Sequence, residues 1–204
     1  YNHGGGPVWA RLPGEERFIY SLNVSGGNIR KTDVTTDAEV SLMQTGCSQL
    51  SLMGGEGSIS KDGRYMGLYC MNSGAFSSYG SPTNVDVIVV DILKKEVFSR
   101  FHINRQIDGG TISHNGEYLV VSAMDSDNPA GKKTILVYSI SGQFLRGLQM
   151  IYGGGHWDTA VDADGNQVIV GGDANTSSLN MYNLNTGEKK MVAPEAYNRY
   201  RYHI

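Results

Sequence analysis

The sequence predicts an all-β chain folded as a β-propeller with about four four-stranded antiparallel blades. Three observations lead there: one unit recurs four times, three of the four copies carry an Asp-Gly or Asn-Gly turn between apolar runs, and no segment has a capped helical period. The turn glycines Gly14, Gly63, Gly116 and Gly165 lie 49, 53 and 49 residues apart. A propeller blade, four short strands repeated every 40 to 50 residues or so, fits that period. A β-sandwich would not explain four copies of one unit.

Each unit starts with a short strand, a glycine turn and an apolar strand. The first pairs Val8–Leu12 with Arg17–Ser21, the second Gly57–Ser60 with Tyr65–Tyr69, the third Gly110–Ser113 with Tyr118–Ser122, and the fourth Asp158–Asp162 with Gln167–Gly171. A tight hairpin turn needs positive φ, which glycine and asparagine tolerate, and this is why these dipeptides mark the turns. A second hairpin follows in each unit. Its first strand reads Asn28–Thr32, Val85–Val90, Thr134–Tyr138 and Ser178–Tyr182, and its second begins near Glu39, Glu96, Gln143 and Glu188. The run Tyr118–Ser122 is almost wholly apolar, as expected of a strand covered on both faces by neighbouring blades. These units place blades at about residues 7–43, 56–101, 109–149 and 157–193, with the start of another at 198–204. Residues Tyr200–Ile204 read as a first strand and Tyr1–Gly6 as a loop leading into a blade. The expectation is part of a six- to eight-bladed propeller whose remaining blades are elsewhere.

Composition narrows the function classes. The 204 residues include 27 glycines but only 5 prolines, and no low-complexity linker, which suits a turn-rich folded chain. A net charge of −3 with no basic stripe argues against nucleic acid, and the short patch Tyr197–Tyr202 reads as strand. No run of 18 apolar residues could span a membrane as a helix. Cys47 and Cys70 are too few for a disulfide framework and too far apart in sequence for a close metal-ligand pair. A single bridge and two packed free thiols both remain open.

Propellers bind ligands at the mouth of the central channel, and here the loops leading into the innermost strands are all glycine-rich and polar. They read His3-Gly4-Gly5-Gly6, Gly54-Gly55-Glu56-Gly57, Asp108-Gly109-Gly110 and Gly153-Gly154-Gly155-His156-Trp157-Asp158. Crowding of backbones round an axis accounts for the glycines. It does not account for His3, Glu56, Asp108, His156 and Asp158. Converging, with His203 joining them, they would form a ring of imidazoles and carboxylates. His3, Glu56, His156 and His203 are the candidate ligands for a divalent metal (Mn, Zn or Ca), with His156, His3 and His203 the catalytic candidates. Glu56, Asp108, His156, Trp157 and Asp158 are the candidate binding residues. His102 and Arg105, in the connection before the third blade, are candidate substrate contacts. The run Asp162-Ala163-Asp164-Gly165-Asn166 has the acidic alternation of a calcium loop, but its place in the repeat makes it a hairpin turn. The polar connections 71–82 and 125–132 are further candidate binding loops.

The phrases Gly57-Ser-Ile-Ser-Lys-Asp-Gly-Arg-Tyr65 and Thr111-Ile-Ser-His-Asn-Gly-Glu-Tyr118 resemble the repeats of TolB-like and oligogalacturonate-lyase-like propellers. The resemblance implies a propeller fold over nearly the whole chain. Its members include protein-binding modules, peptidase-associated propellers and polysaccharide lyases, whose channel-mouth histidines hold a metal that acidifies a uronate α-proton. The reading reached from the sequence is a propeller module, secreted or periplasmic, that binds a protein or polysaccharide at its channel mouth. A metal-assisted lyase on uronate-containing glycans and a structural subunit of a larger assembly are the alternatives.

Overall fold

The computed structural model describes residues 17–23, 26–53, 59–71, 83–124, 133–150, 158–162, 164–173 and 178–193. All regular elements among them are strands, joined as antiparallel meanders. The first blade contributes β1 (Phe18–Asn23), β2 (Asn28–Asp33) and β3 (Ala38–Gln44) in sequential order. The second holds β4 (Gln49–Leu52), β5 (Tyr65–Met71), β6 (Thr83–Asp91) and the first half of β7 (Glu96–Ile112). The third takes the second half of β7, then β8 (Tyr118–Met124), β9 (Lys133–Ser139) and β10 (Phe144–Met150). The fourth is β11 (Asp158–Val161), β12 (Gln167–Asp173), β13 (Ser178–Asn183) and β14 (Lys189–Ala193).

The 17-residue strand β7 joins two blades. Its residues from Glu96 to Gln106 pair with β6 and those from Gln106 to Ile112 with β8, so the second and third blades form one seven-stranded sheet. The expectation of a connecting segment around His102 and Arg105 is therefore corrected: both lie within a strand. The first strand of the second blade also differs from expectation. Residues Gln49–Leu52 already pair with Leu68–Met71, and Ile59 bridges Met66, so pairing with β5 starts at Gln49, ahead of the predicted first strand Gly57–Ser60.

The apolar residues lie in three layers between blades. Tyr20, Ile29 and Met43 of the first blade meet Leu50, Met66, Leu68, Ile88 and Val90 of the second. The other face of that blade presents Tyr69, Met71, Val85, Val87 and Val89 to Leu119, Val121 and Ala123 of the third. The third in turn sends Val120, Ile135 and Val137 against Ile169, Tyr182 and Leu184 of the fourth. Successive side chains of a strand point to opposite faces, so β5, β6 and β8 must be apolar at both odd and even positions. Each fully buried aliphatic side chain contributes about 1.5–3 kcal/mol.

The repeated turns are built from the same hydrogen bonds. Gly63, Gly116 and Gly165 have φ of 73°, 70° and 81°, and each donates its N–H to the carbonyl three residues before it (Ser60, Ser113 and Asp162). The Ser60 hydroxyl donates to Asp62 at 2.6 Å and accepts from the Tyr65 N–H at 2.9 Å; Ser113 does the same with Asn115 and Tyr118 at 2.7 and 2.9 Å. In the fourth blade Asp162 replaces the serine, and its Oδ1 accepts from the N–H groups of Asp164 at 3.0 Å and Asn166 at 2.7 Å. These donors come from the chain itself, and the run 162–166 folds as a hairpin turn. Where strand two meets strand three in the first two blades an Arg–Asp pair recurs: Arg17 with Asp33, and Arg64 Nε with the fully buried Asp91 at 3.0 Å.

The fourth strand of every blade carries a one-residue register shift. It falls at Leu42 in β3, Phe98 in β7, Leu145 in β10 and Val192 in β14. Three of these strands, β3, β10 and β14, are sheet edges, where a bulge twists the strand away from edge-to-edge pairing.

Two predictions follow from this packing. A Cβ at Gly110 would sit 2.9 Å from the Val120 carbonyl oxygen and 2.5 Å from Met53 Cε. Gly110→Ala should therefore destabilise the protein by about 1–3 kcal/mol in urea unfolding, against less than about 0.5 kcal/mol for a surface substitution. The second concerns acid. Hydrogen bonds from Arg17 hold Asp33 well below the usual carboxylate range; burial raises Asp62, but its bonds from Ser60 and Arg64 outweigh this; bonds from Asn166 lower Asp162. Carboxylates depressed in the folded state contribute stability that is complete above their unfolded pKa and lost as the pH falls through the folded value. Thermal midpoints should drop between about pH 5 and pH 2, and Asp162→Asn should flatten that dependence.

Candidate functional site

The first strands of the second, third and fourth blades can be aligned on the pairs that close their first hairpins. Ile59, Ile112 and Val161 pair with Met66, Leu119 and Gln167, each closing its blade's first hairpin. Three residues before them lie Glu56, Gly109 and Asp158. Asp108 sits at a bulge where the register of β7 against β8 shifts, between the pairs Ile107–Ala123 and Gly109–Ser122. Asp158 opens β11 opposite Val170. Glu56, His3, His156, Trp157 and His203 lie outside the described residues.

Adjacent first strands touch through their backbones. The Gly110 N–H donates to the Met53 carbonyl at 2.5 Å, and Met53 Sδ lies 2.8 Å from where a Cβ on Gly67 would stand. Thus Gly109-Gly110 is small because the preceding blade's inner strand is pressed against it.

The structure assembles a second polar group that the sequence reading missed in part. Cys70, Asp86 and His102 lie opposite one another across β5, β6 and β7, on the face turned to the first blade. Asp86 Oδ1 is 2.9 Å from His102 Nδ1, and Asp86 Oδ2 is 3.1 Å from Arg100 Nε. Cys47 and Cys70 form a disulfide, with Cα atoms 5.4 Å apart, which settles the choice left open by the sequence. Bridging residues 23 apart restricts the unfolded chain by about 3 kcal/mol in the loop-entropy account. Arg100 Nη2 lies against both sulfurs, 3.4 Å from Cys47 Sγ and closer to Cys70 Sγ. Arg105 is exposed farther along β7, and its charge opposes the rise that burial gives the Tyr138 hydroxyl of the third blade.

No group of three or more metal-ligating side chains occurs among the described residues, nor any helix long and apolar enough to cross a membrane. No protein-family model matches the sequence, and no curated protein matches it. Solved structures do. The Kuenenia stuttgartiensis hydrazine synthase superposes with a TM-score of 0.52 at 19% identity, over 95% of this chain and 53% of that one. The Dos1 propeller gives 0.58 at 14% identity, over 92% and 45%. The propeller domain of Myceliophteria thermophila Cps50 (Swd1) gives 0.53 at 14% identity, over 94% and 57%. The fold is a β-propeller. At these identities the likeness concerns the fold alone, and the chain spans about half the length of these propeller structures.

The Asp86–Arg100 contact yields a direct test. Both side chains are partly exposed, so a double-mutant cycle should give a coupling of about 0.5–1 kcal/mol that shrinks in 1 M NaCl.

Proposed function

We propose that this chain is a propeller module that binds a protein partner at the end of the channel where the first strands begin, in a compartment outside the cytoplasm. The observation that carries the reading is the bulge at Asp108 on the inner strand β7, with Asp158 opening the inner strand β11 of the next blade; Glu56 comes three residues before Ile59 in the second blade's sequence. Irregular backbone on a rigid sheet scaffold is where binding residues concentrate. Acidic residues at such positions suit a basic segment of a partner. The Cys47–Cys70 disulfide supports the compartment, since such bridges persist where the milieu is oxidising.

A second reading is favoured by the same acidic residues: a metal-assisted lyase acting on uronate glycans. The resemblance of residues 57–65 and 111–118 to lyase-like repeats supports it, with His3, Glu56, His156 and His203 as the ligands of a divalent ion.

The two readings separate experimentally. A Glu56→Gln/Asp108→Asn/Asp158→Asn variant with an unchanged thermal midpoint should lose at least about tenfold affinity for a Lys/Arg-rich peptide in titration calorimetry, about 1.4 kcal/mol. Binding at wild-type strength would sink the partner reading. Stoichiometric metal by elemental analysis, with unsaturated products from polygalacturonate, would establish the lyase in its place.

A further inference from the structure

We propose that Cys47–Cys70 is a reversible thiol–disulfide exchange site, with Arg100 as the charge that stabilises the departing thiolate, and that its reaction partner is a dithiol. Two features of the structure distinguish it from a cystine that only braces a core.

The first is the placement of charge. Arg100 Nη2 rests against both sulfurs, and Asp86 fixes the guanidinium through Nε at 3.1 Å. The other oxygen of Asp86 is engaged by His102 Nδ1 at 2.9 Å, so the carboxylate is held from two sides. A neighbouring cation lowers the pKa of a thiol, and a leaving thiol of lower pKa departs faster. Both cysteines are buried, Cys70 at 1% exposure and Cys47, the less buried of the two, at 7%. Attack therefore falls on Cys47 Sγ and expels Cys70 Sγ as a thiolate beside Arg100.

The second feature is that both cysteine backbones are held without the bridge. Cys70 is inside β5, paired with Leu50 and Asp86. The Thr45 N–H and hydroxyl both donate to the Gly27 carbonyl, at 3.0 and 2.6 Å, and the Cys47 N–H donates to Thr45 Oγ1 at 3.3 Å. Gly27, with φ +63°, packs so closely that a Cβ there would overlap the Cys47 carbonyl oxygen. Reduction leaves these contacts in place and keeps the two sulfurs opposed for re-oxidation.

The exchange balances as follows. One thiolate of the dithiol forms a bond to Cys47 Sγ as the Cys47–Cys70 bond breaks and its electron pair goes to Cys70. The second thiol of the dithiol, as thiolate, then attacks its own mixed-disulfide sulfur and releases Cys47. The dithiol becomes a cyclic disulfide, and two electrons and two protons pass to the cysteine pair.

The test equilibrates the full chain with reduced and oxidised dithiothreitol and counts free thiols by alkylation and mass spectrometry. Wild type should be reduced at least about tenfold more readily than Arg100→Gln, corresponding to about 30 mV, and about tenfold faster. Arg100→Lys, which keeps a charge, should stay within about threefold of wild type and serves as the folded comparison should the Gln variant misfold. Reduced wild type should keep its far-UV circular dichroism and regain the same bridge on oxidation. The proposal is overturned if Arg100→Gln and Arg100→Lys both match wild type in equilibrium and rate, if both lose reducibility alike, or if reduction unfolds the chain.

Discussion

The fold rests on one constraint: a blade here is apolar on both faces and cannot satisfy itself. Strand β5 sends Met66, Leu68 and Cys70 one way and Tyr69 and Met71 the other, and β6 splits likewise between Ile88 and Val90 on one side and Val85, Val87 and Val89 on the other. Burial on one face leaves the opposite face with a hydrophobic cost that only a second neighbour removes. Stability therefore propagates from blade to blade. The hydrogen bonds between blades, such as Ser99 Oγ to the Ile140 carbonyl at 2.7 Å and the Lys61 N–H to the His114 carbonyl at 3.2 Å, fix the alignment of faces that the apolar side chains have already brought together.

Stacking blades round an axis makes the inner strands crowd and the outer strands spread, and the residues follow. At the inner strands Gly110 has the Met53 carbonyl and side chain against it and could carry no side chain without displacement. At the outer strands the same blades each accommodate an extra residue, and the residues at the shifts, Leu42, Phe98, Leu145 and Val192, are all apolar. Close approach demands glycine; a bulge tolerates bulk.

That difference explains what could be read from the sequence. The repeat, its turns and the two-sided strands were legible because they depend on short-range patterns: Asp-Gly and Asn-Gly at positive φ, and unbroken apolar runs. The pairing Asp86–His102 was not. Counting back from the turn that pairs Asp91 with Glu96 would place Phe101 opposite Asp86, and only the extra residue at Phe98 brings His102 there. The start of the second blade's first strand at Gln49 was hidden for a related reason. Gly57–Ser60 has the pattern of a complete strand, yet Gln49–Leu52 occupies the pairing positions beside β5 first. Of the candidate site, the register gives the backbone positions of Asp108 and Asp158, while Glu56 and the imidazoles expected beside them fall outside the described residues.

The two polar groups differ in what holds them, and this bears on what each can do. Asp108 and Asp158 lie on inner strands, where neighbouring backbones already touch, so their backbone positions are fixed by the scaffold whatever side chains they carry. The cluster on the second blade is the reverse case. Asp86 and Arg100 lie on the face where a neighbour's apolar residues would otherwise pack, and they are stable there because each satisfies the other and because the rim stays partly open to water. A bridge set inside the apolar layer would meet no charge at all. The buried Cys47–Cys70 bridge instead has beside it a partly exposed guanidinium anchored by a carboxylate, which brings a charge against sulfurs that lie in the packed interface.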